Sequence, residues 1–169
     1  MLDSAAAEVL LGLKSAGINF VSGLPDGWLR NLHELIEADA SSFQYVPVCN
    51  EGVGFSVCAG AWLGGCKTAL LMEDSGLRVA AEYIARISLG TGVPVVLLMS
   101  YRGDLGETEH WAIPHGIVVE PLLQALRIPY QVVRQPVDLR QAVLRAHRLS
   151  EAQLHPAAVL ISGSCVWED

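Results

Sequence analysis

The run Val93–Ser100, Val-Pro-Val-Val-Leu-Leu-Met-Ser, carries no charge and holds three β-branched valines. A strand wetted on one face alternates polar and apolar residues, so an unbroken apolar run asks for cover on both faces, which helices supply. The rest of the chain is consistent with that demand. Strands are predicted at Ile18–Ser22, Phe43–Val48, Thr68–Met72, Val93–Ser100, Tyr130–Val133 and Ala157–Ser162. Between them the apolar spacing turns helical over Asp3–Ala16, Trp28–Ala38, Asn50 to about Leu63, Leu77–Leu89, Ile117–Leu126 and Val137–Leu149. Gly17 reads as a C-cap, Asp26 as a cap for the helix after it, and Gly64-Gly65 as a stop. Strands alternating with helices imply an α/β fold: a doubly wound, mainly parallel six-stranded sheet with helices on both faces and right-handed crossovers. Residues 1–169 read as one domain, with no repeat, low-complexity tract or linker. In such sheets ligands sit beyond the carboxyl ends of the strands, which here are Gly23–Gly27, Cys49–Gly54, Glu73–Leu77 and Tyr101–His115.

Composition narrows the function. Hydrophobic residues make up 51% of the chain and charged ones 17%, too apolar for disorder. The longest uncharged stretches, Gly52–Cys66 and Ile87–Tyr101, are broken by glycine or proline and fall short of the ~20 residues a bilayer span needs. The apolar excess therefore points to a buried sheet plus surface that a partner subunit covers. The net charge is −7, and the 11 basic residues are scattered, which argues against a nucleic-acid surface. Met1–Ala5 lacks the positive segment of a signal peptide, and Cys49, Cys58, Cys66 and Cys165 form no C-x-x-C. They read as buried free thiols in a reducing cytoplasm. No metal-ligand spacing is present among the histidines, so the chain is expected to hold no metal by itself.

Common phosphate and nucleophile motifs fail. Gly52-Val53-Gly54 is followed by Val57 where a dinucleotide fingerprint needs glycine, and neither G-x-x-x-x-G-K-[ST] nor G-x-S-x-G occurs. Ser75 before Gly76 has no histidine placed as its base and reads as a helix cap. Glu51 stands out. It follows an apolar strand and opens a helix, Glu51–Trp62, whose residues are small and nearly all apolar. A first-turn glutamate is ordinary, being favoured by the helix dipole. At the tip of a buried helix, however, it becomes a desolvated carboxylate in a cleft, the kind of group that functional sites use.

Val48-Cys49-Asn50-Glu51-Gly52 with Ala59-Gly60-Ala61-Trp62-Leu63 resembles the pyrimidine-binding (PYR) domain of thiamine-diphosphate-dependent decarboxylases. Within that group the chain is most similar to the sulfopyruvate decarboxylase α-subunit family and the matching half of phosphonopyruvate decarboxylases. Ser22–Asp26, Leu71–Leu77, Pro94–Gly103, Glu109-His110 and Leu122–Tyr130 extend the likeness along nearly the whole chain. The resemblance implies a lyase subunit whose Glu51 hydrogen-bonds the aminopyrimidine ring of thiamine diphosphate (thiamine pyrophosphate). A carboxylic acid there favours the imino form that takes the proton from the thiazolium carbon. It implies further cofactor contacts at Gly23, Leu24, Pro25, Ser75, Gly76 and Leu77. Asp26, Arg78, Arg102 and His110 are the substrate candidates. Arg102 is equally open to a role tying down its loop, and His115 reads as a surface histidine at a helix start. Trp28 and Trp62 read as core or interface.

The family holds the diphosphate through magnesium on a G-D-G…N motif, which this chain lacks. Mg²⁺ and diphosphate are then expected on a partner β subunit, in an α2β2 or larger hetero-oligomer. Where the family commonly reads Q-N-S-G-L-G-N, this chain reads Glu73-Asp74-Ser75-Gly76-Leu77-Arg78-Val79. Two added carboxylates disfavour a dianionic oxo acid unless Arg78 offsets them. Trp111 and Ile113 also add apolar bulk to the loop after the fourth strand. A carboligase on another 2-oxo acid, or a silent assembly subunit, are the competing readings; retention of Glu51 speaks against silence.

Overall fold

In a computed structural model, which describes residues 1–167, six strands form one parallel sheet in the order β2-β1-β3-β4-β6-β5. They are β1 (Phe20–Gly23), β2 (Gln44–Pro47), β3 (Thr68–Glu73), β4 (Val96–Tyr101), β5 (Tyr130–Val133) and β6 (Ala157–Ser162). Six helices connect or flank them: α1 (Asp3–Ala16), α2 (Arg30–Ala38), α3 (Glu51–Leu63), α4 (Gly76–Ile84), α5 (Ile113–Ala125) and α6 (Leu139–Gln153). The doubly wound α/β fold read from the sequence is therefore present, and every strand pair is parallel.

The central strands are apolar on both sides because both sides are covered. On β3, Ala69 and Leu71 join the core beneath α1, α2 and α6, whereas Leu70 and Met72 join the core beneath α3, α4 and α5. β4 and β6 divide in the same way, with Val96 and Leu98 opposed to Leu97 and Met99, and Val159 and Ile161 opposed to Ala158 and Leu160. Side chains alternate across a strand, so each apolar run feeds two cores at once. Exposed apolar residues occur on both faces: Val53 and Leu63 of α3, Val79 of α4, Leu89 and Ile117 of α5 on the second, and Leu11, Leu35, Val137 and Leu149 on the first.

Several boundaries differ from the expected ones, each for a local reason. Asp26 does not cap α2. Its Oδ1 accepts the Trp28 N–H at 3.1 Å, closing a turn, and the helix begins only at Arg30. Helix α4 changes after Ile84 into a π-helical turn, Ala85–Leu89. Helix α5 starts four residues earlier than expected, at Ile113, with Pro114 in its first turn, where a missing N–H does no harm. Not all the thiols are buried: Cys58 and Cys165 are, Cys66 is half-buried and Cys49 is exposed. Burial pushes the Cys58 thiol up to about 12 and that of Cys165 to about 11, so neither is a nucleophile.

Candidate active site

Strand order decides where the cleft lies. The chain runs from β1 outward to β2, returns through α3 to β3 on the other side of β1, and continues away from it. The connections that leave the carboxyl ends of β1 and β3 therefore diverge at this switch point, leaving a crevice. That crevice, of about 300 Å³, is lined by Leu24, Pro25, Asp26 and Gly27 after β1, Glu51 at the tip of α3, and Glu73 and Ser75 after β3. Gly23, Gly76 and Leu77 are buried beside it. The structure thus brings together the segments that the sequence singled out.

Glu51 is 8% exposed. It is held there by the way α3 is built. Asn50 caps the helix, its Oδ1 accepting the Val53 N–H at 3.1 Å. Gly54 lets the helix lie against β3, since a Cβ there would sit 2.8 Å from Leu70 Cδ1. Gly76 is the matching concession from α4: a Cβ there would lie 2.5 Å from Glu51 Cγ and 2.6 Å from its Oε1. The polar neighbours are engaged elsewhere. Ser75 is the N-cap residue of α4 but makes no side-chain cap; its Oγ donates to Glu73 Oε1 at 2.7 Å. The crevice lining holds three carboxylates, Asp26, Glu51 and Glu73, and no cation.

The remaining substrate candidates scatter. Arg78 is exposed and turns back to its own helix start, with Nε 3.4 Å from Ser75 O, so it does not offset the acids of the loop. His110 is exposed on the loop after β4. Arg102 is 6% exposed and ties that loop down. Its Nε donates to Glu107 Oε2 at 2.8 Å, and its guanidinium lies between two indoles, 4.4 Å from the Trp28 ring centre and 4.5 Å from that of Trp111. Each stacking contact of this kind is worth about 0.5–2 kcal/mol, more as water is excluded. The Arg102 guanidinium in turn holds the Glu107 carboxyl down at about 2. This accounts for the tryptophan at 111, and Trp28 is half-buried as expected, edge-on to Trp167.

The group that the sequence left on the surface is inside. The His115 side chain is 15% exposed, and its Nδ1 lies 3.1 Å from Glu73 Oε1 and 3.8 Å from Asp74 Oδ1. No spacing rule reveals this, because Glu73-Asp74 and His115 sit after different strands. The loop after β4 is clasped to α5, which carries His115, by two glycines. Gly103 adopts φ +75°, and a Cβ on Gly116 would lie 2.5 Å from Gly103 O. His33, also unremarked in the sequence, is buried with Nδ1 2.7 Å from Tyr45 Oη. It lines a neighbouring hollow of about 360 Å³ on the far side of Pro25–Gly27.

Asp74 is 2% exposed, and its Oδ2 accepts the Arg102 N–H at 3.1 Å. Burial, with the charge of Glu73 adding to it, pushes its carboxyl up to about 8. A raised folded-state pKa means the folded chain holds a proton that the unfolded chain releases near the ordinary aspartate value of 3.8. The stabilisation is therefore complete below that value and is lost as pH climbs through about 8. Urea melts across that range are expected to show stability falling with rising pH, and Asp74→Asn to flatten the slope. An unchanged slope in the variant would assign it to another group.

No family model matches the chain. Among curated proteins, the sulfopyruvate decarboxylase subunit alpha of Methanococcus maripaludis is 33% identical over 165 residues, covering 98% of each chain. That of Methanothermobacter thermautotrophicus is 34% identical over 163 residues, 96% of this chain and 98% of its own. A phosphonopyruvate decarboxylase of Streptomyces viridochromogenes is 31% identical over 150 residues, which are 87% of this chain and 37% of that longer protein. With the expected sheet in place, its crevice at the switch point and a likeness running end to end, the chain belongs to the family of sulfopyruvate decarboxylase alpha subunits.

Proposed function

We propose that the chain is the pyrimidine-binding subunit of a two-part, thiamine-diphosphate-dependent decarboxylase acting on a small 2-oxo acid. The observation that carries this is a buried glutamate at the floor of a crevice whose lining holds acids but no cation. Such a crevice suits an aminopyrimidine, which offers ring nitrogens and an amino group to a carboxyl. It does not suit a diphosphate, which asks for cations or a metal. When bound, thiamine diphosphate supplies the electron sink into which the bond to the departing carboxylate collapses.

The residues of this chain orient and protonate. Glu51 would hydrogen-bond the pyrimidine ring nitrogen and could exchange a proton with it, and the Asn50 cap of α3 with the close approach of Gly76 fixes where that carboxyl stands. Leu24 and Pro25 provide apolar wall, and Gly76 allows α4 to pack directly against Glu51. Magnesium and the diphosphate then fall to a partner β subunit. The open apolar residues on α3, α4 and α5 offer that partner a surface, consistent with an α2β2 or larger assembly. Among the described residues no helix is long and apolar enough to cross a membrane.

Isothermal titration with thiamine diphosphate and Mg²⁺ tests the division of labour. The chain alone is expected to give little heat and no decarboxylation, and the co-expressed pair to bind tightly and turn over. Tight magnesium-dependent binding by this chain alone would overturn it.

A further inference from the structure

Three of the buried polar atoms that lack any hydrogen-bond partner lie at or beside the crevice, Asp26 Oδ2, Asp74 Oδ1 and His115 Nδ1, and the last two face each other at 3.8 Å. Buried polar atoms are nearly always paired, so two orphans in opposition mark a place for a third body. Glu73 Oε1 completes the group: the three ligand atoms lie within 4.8 Å of one another. His115 Nδ1 is 3.1 Å from that oxygen yet makes no hydrogen bond to it, so the ring nitrogen does not aim at the carboxylate. A ring aimed at a point between the two carboxylates has that geometry. Around a four-coordinate ion with bonds near 2.1 Å, neighbouring ligands stand roughly 3.4 Å apart, between the 3.1 Å and 3.8 Å that separate His115 Nδ1 from the two carboxylates.

We propose that Glu73, Asp74 and His115 form a divalent transition-metal site in the wall of the crevice. The frame is rigid enough to serve. Asp74 is fixed through Oδ2 by the Arg102 N–H, Glu73 by the Ser75 hydroxyl, and His115 by the first turn of α5 behind the glycine clasp. With both carboxylates ionised on binding, their two negative charges balance an ion of charge +2. Arg102 Nη1 stands 4.0 Å from Glu73 Oε2, but its own charge is matched by Glu107. One nitrogen with two oxygens suits zinc, manganese, cobalt or iron better than magnesium, which prefers oxygen alone. Since Glu73 also lines the crevice, the ion offsets the negative charge that an anionic ligand meets on entering.

Cobalt and zinc titrations of the full-length, tag-free chain test this. One equivalent of Co²⁺ is expected to give visible d–d absorption without the near-ultraviolet band of a thiolate ligand, and Zn²⁺ to raise Tm. His115→Gln and Glu73→Gln, each checked for fold by far-ultraviolet circular dichroism, are expected to weaken binding at least about tenfold, the scale on which metal sites respond to altered ligands. Glu73 is partly exposed, so its variant remains informative if His115→Gln fails to fold. The proposal is overturned if the folded chain shows neither Co²⁺ absorption nor a Zn²⁺-dependent Tm shift, or if binding survives in a folded variant. A thiolate band abolished by Cys49→Ser would assign the binding to the exposed cysteine and overturn it too.

Discussion

Glu51→Gln is expected to leave the chain folded while slowing exchange of the cofactor's thiazolium proton by roughly 10²–10⁴-fold, the usual scale of a lost acid–base group. The amide matches the carboxyl in shape, so it still fits against Gly76, and Asn50 still caps α3 through the Val53 N–H. What the amide lacks is an ionisable proton at the atom facing the pyrimidine. The measurement is hydrogen–deuterium exchange of the bound cofactor in the assembled pair, read by NMR, which does not depend on the identity of the oxo acid. Exchange at the unmodified rate would show that Glu51 is not the activating acid. Loss of cofactor binding as well would move its role from activation to anchoring.

Gly116→Ala is expected to destabilise the chain by about 3 kcal/mol or more, at the upper end of what overpacking costs. Helix propensity alone favours alanine over glycine by about 1 kcal/mol, so the sign is decided by what the new Cβ meets. It meets Gly103 O at 2.5 Å, Gly103 C at 2.7 Å and Arg102 O at 2.9 Å, all backbone. A side chain would swing away; a main chain held in the left-handed region at Gly103 cannot follow without moving its loop. Gly60→Ala is the contrast. It lies mid-helix in α3 with nothing within 4 Å of a new Cβ, and it is expected to stabilise by up to about 1 kcal/mol. Denaturant melts of both variants check the pair. A Gly116→Ala chain as stable as the parent would mean that the clasp is slack.

The sheet was legible because the strands buried on both faces leave apolar runs too long to be anything else, and β4 is the clearest of these. Glu51 was legible for a related reason: a strand, a capping asparagine and a helix of small residues follow one another without a gap. What stayed hidden depends on contacts between segments distant in sequence. Arg78 looked like the counter-charge to Glu73 and Asp74 because it is near them in the chain, yet the fold delivers Arg102 from the loop after β4 and His115 from the first turn of α5. The stacking of Arg102 between Trp28 and Trp111 joins residues from two loops and leaves no periodic trace. The start of α5 was missed because Ile113 and Ile117 are exposed, so the turn shows no buried stripe for periodicity to find.

The place of β6 in the sheet has a consequence for how the chain is made. It is the last strand in chain order, yet it lies between β4 and β5, and β5 pairs with no other strand. During synthesis the first four strands can assemble as they emerge, but β5 must wait without a partner while β4 shows an open edge. Parallel pairing across such separations is slow, and open edges invite pairing with other chains. Emergence of β6, rather than of any earlier segment, is then the step at which the sheet closes. A chain interrupted before Ala157 leaves β4 with an open edge and β5 without a partner strand.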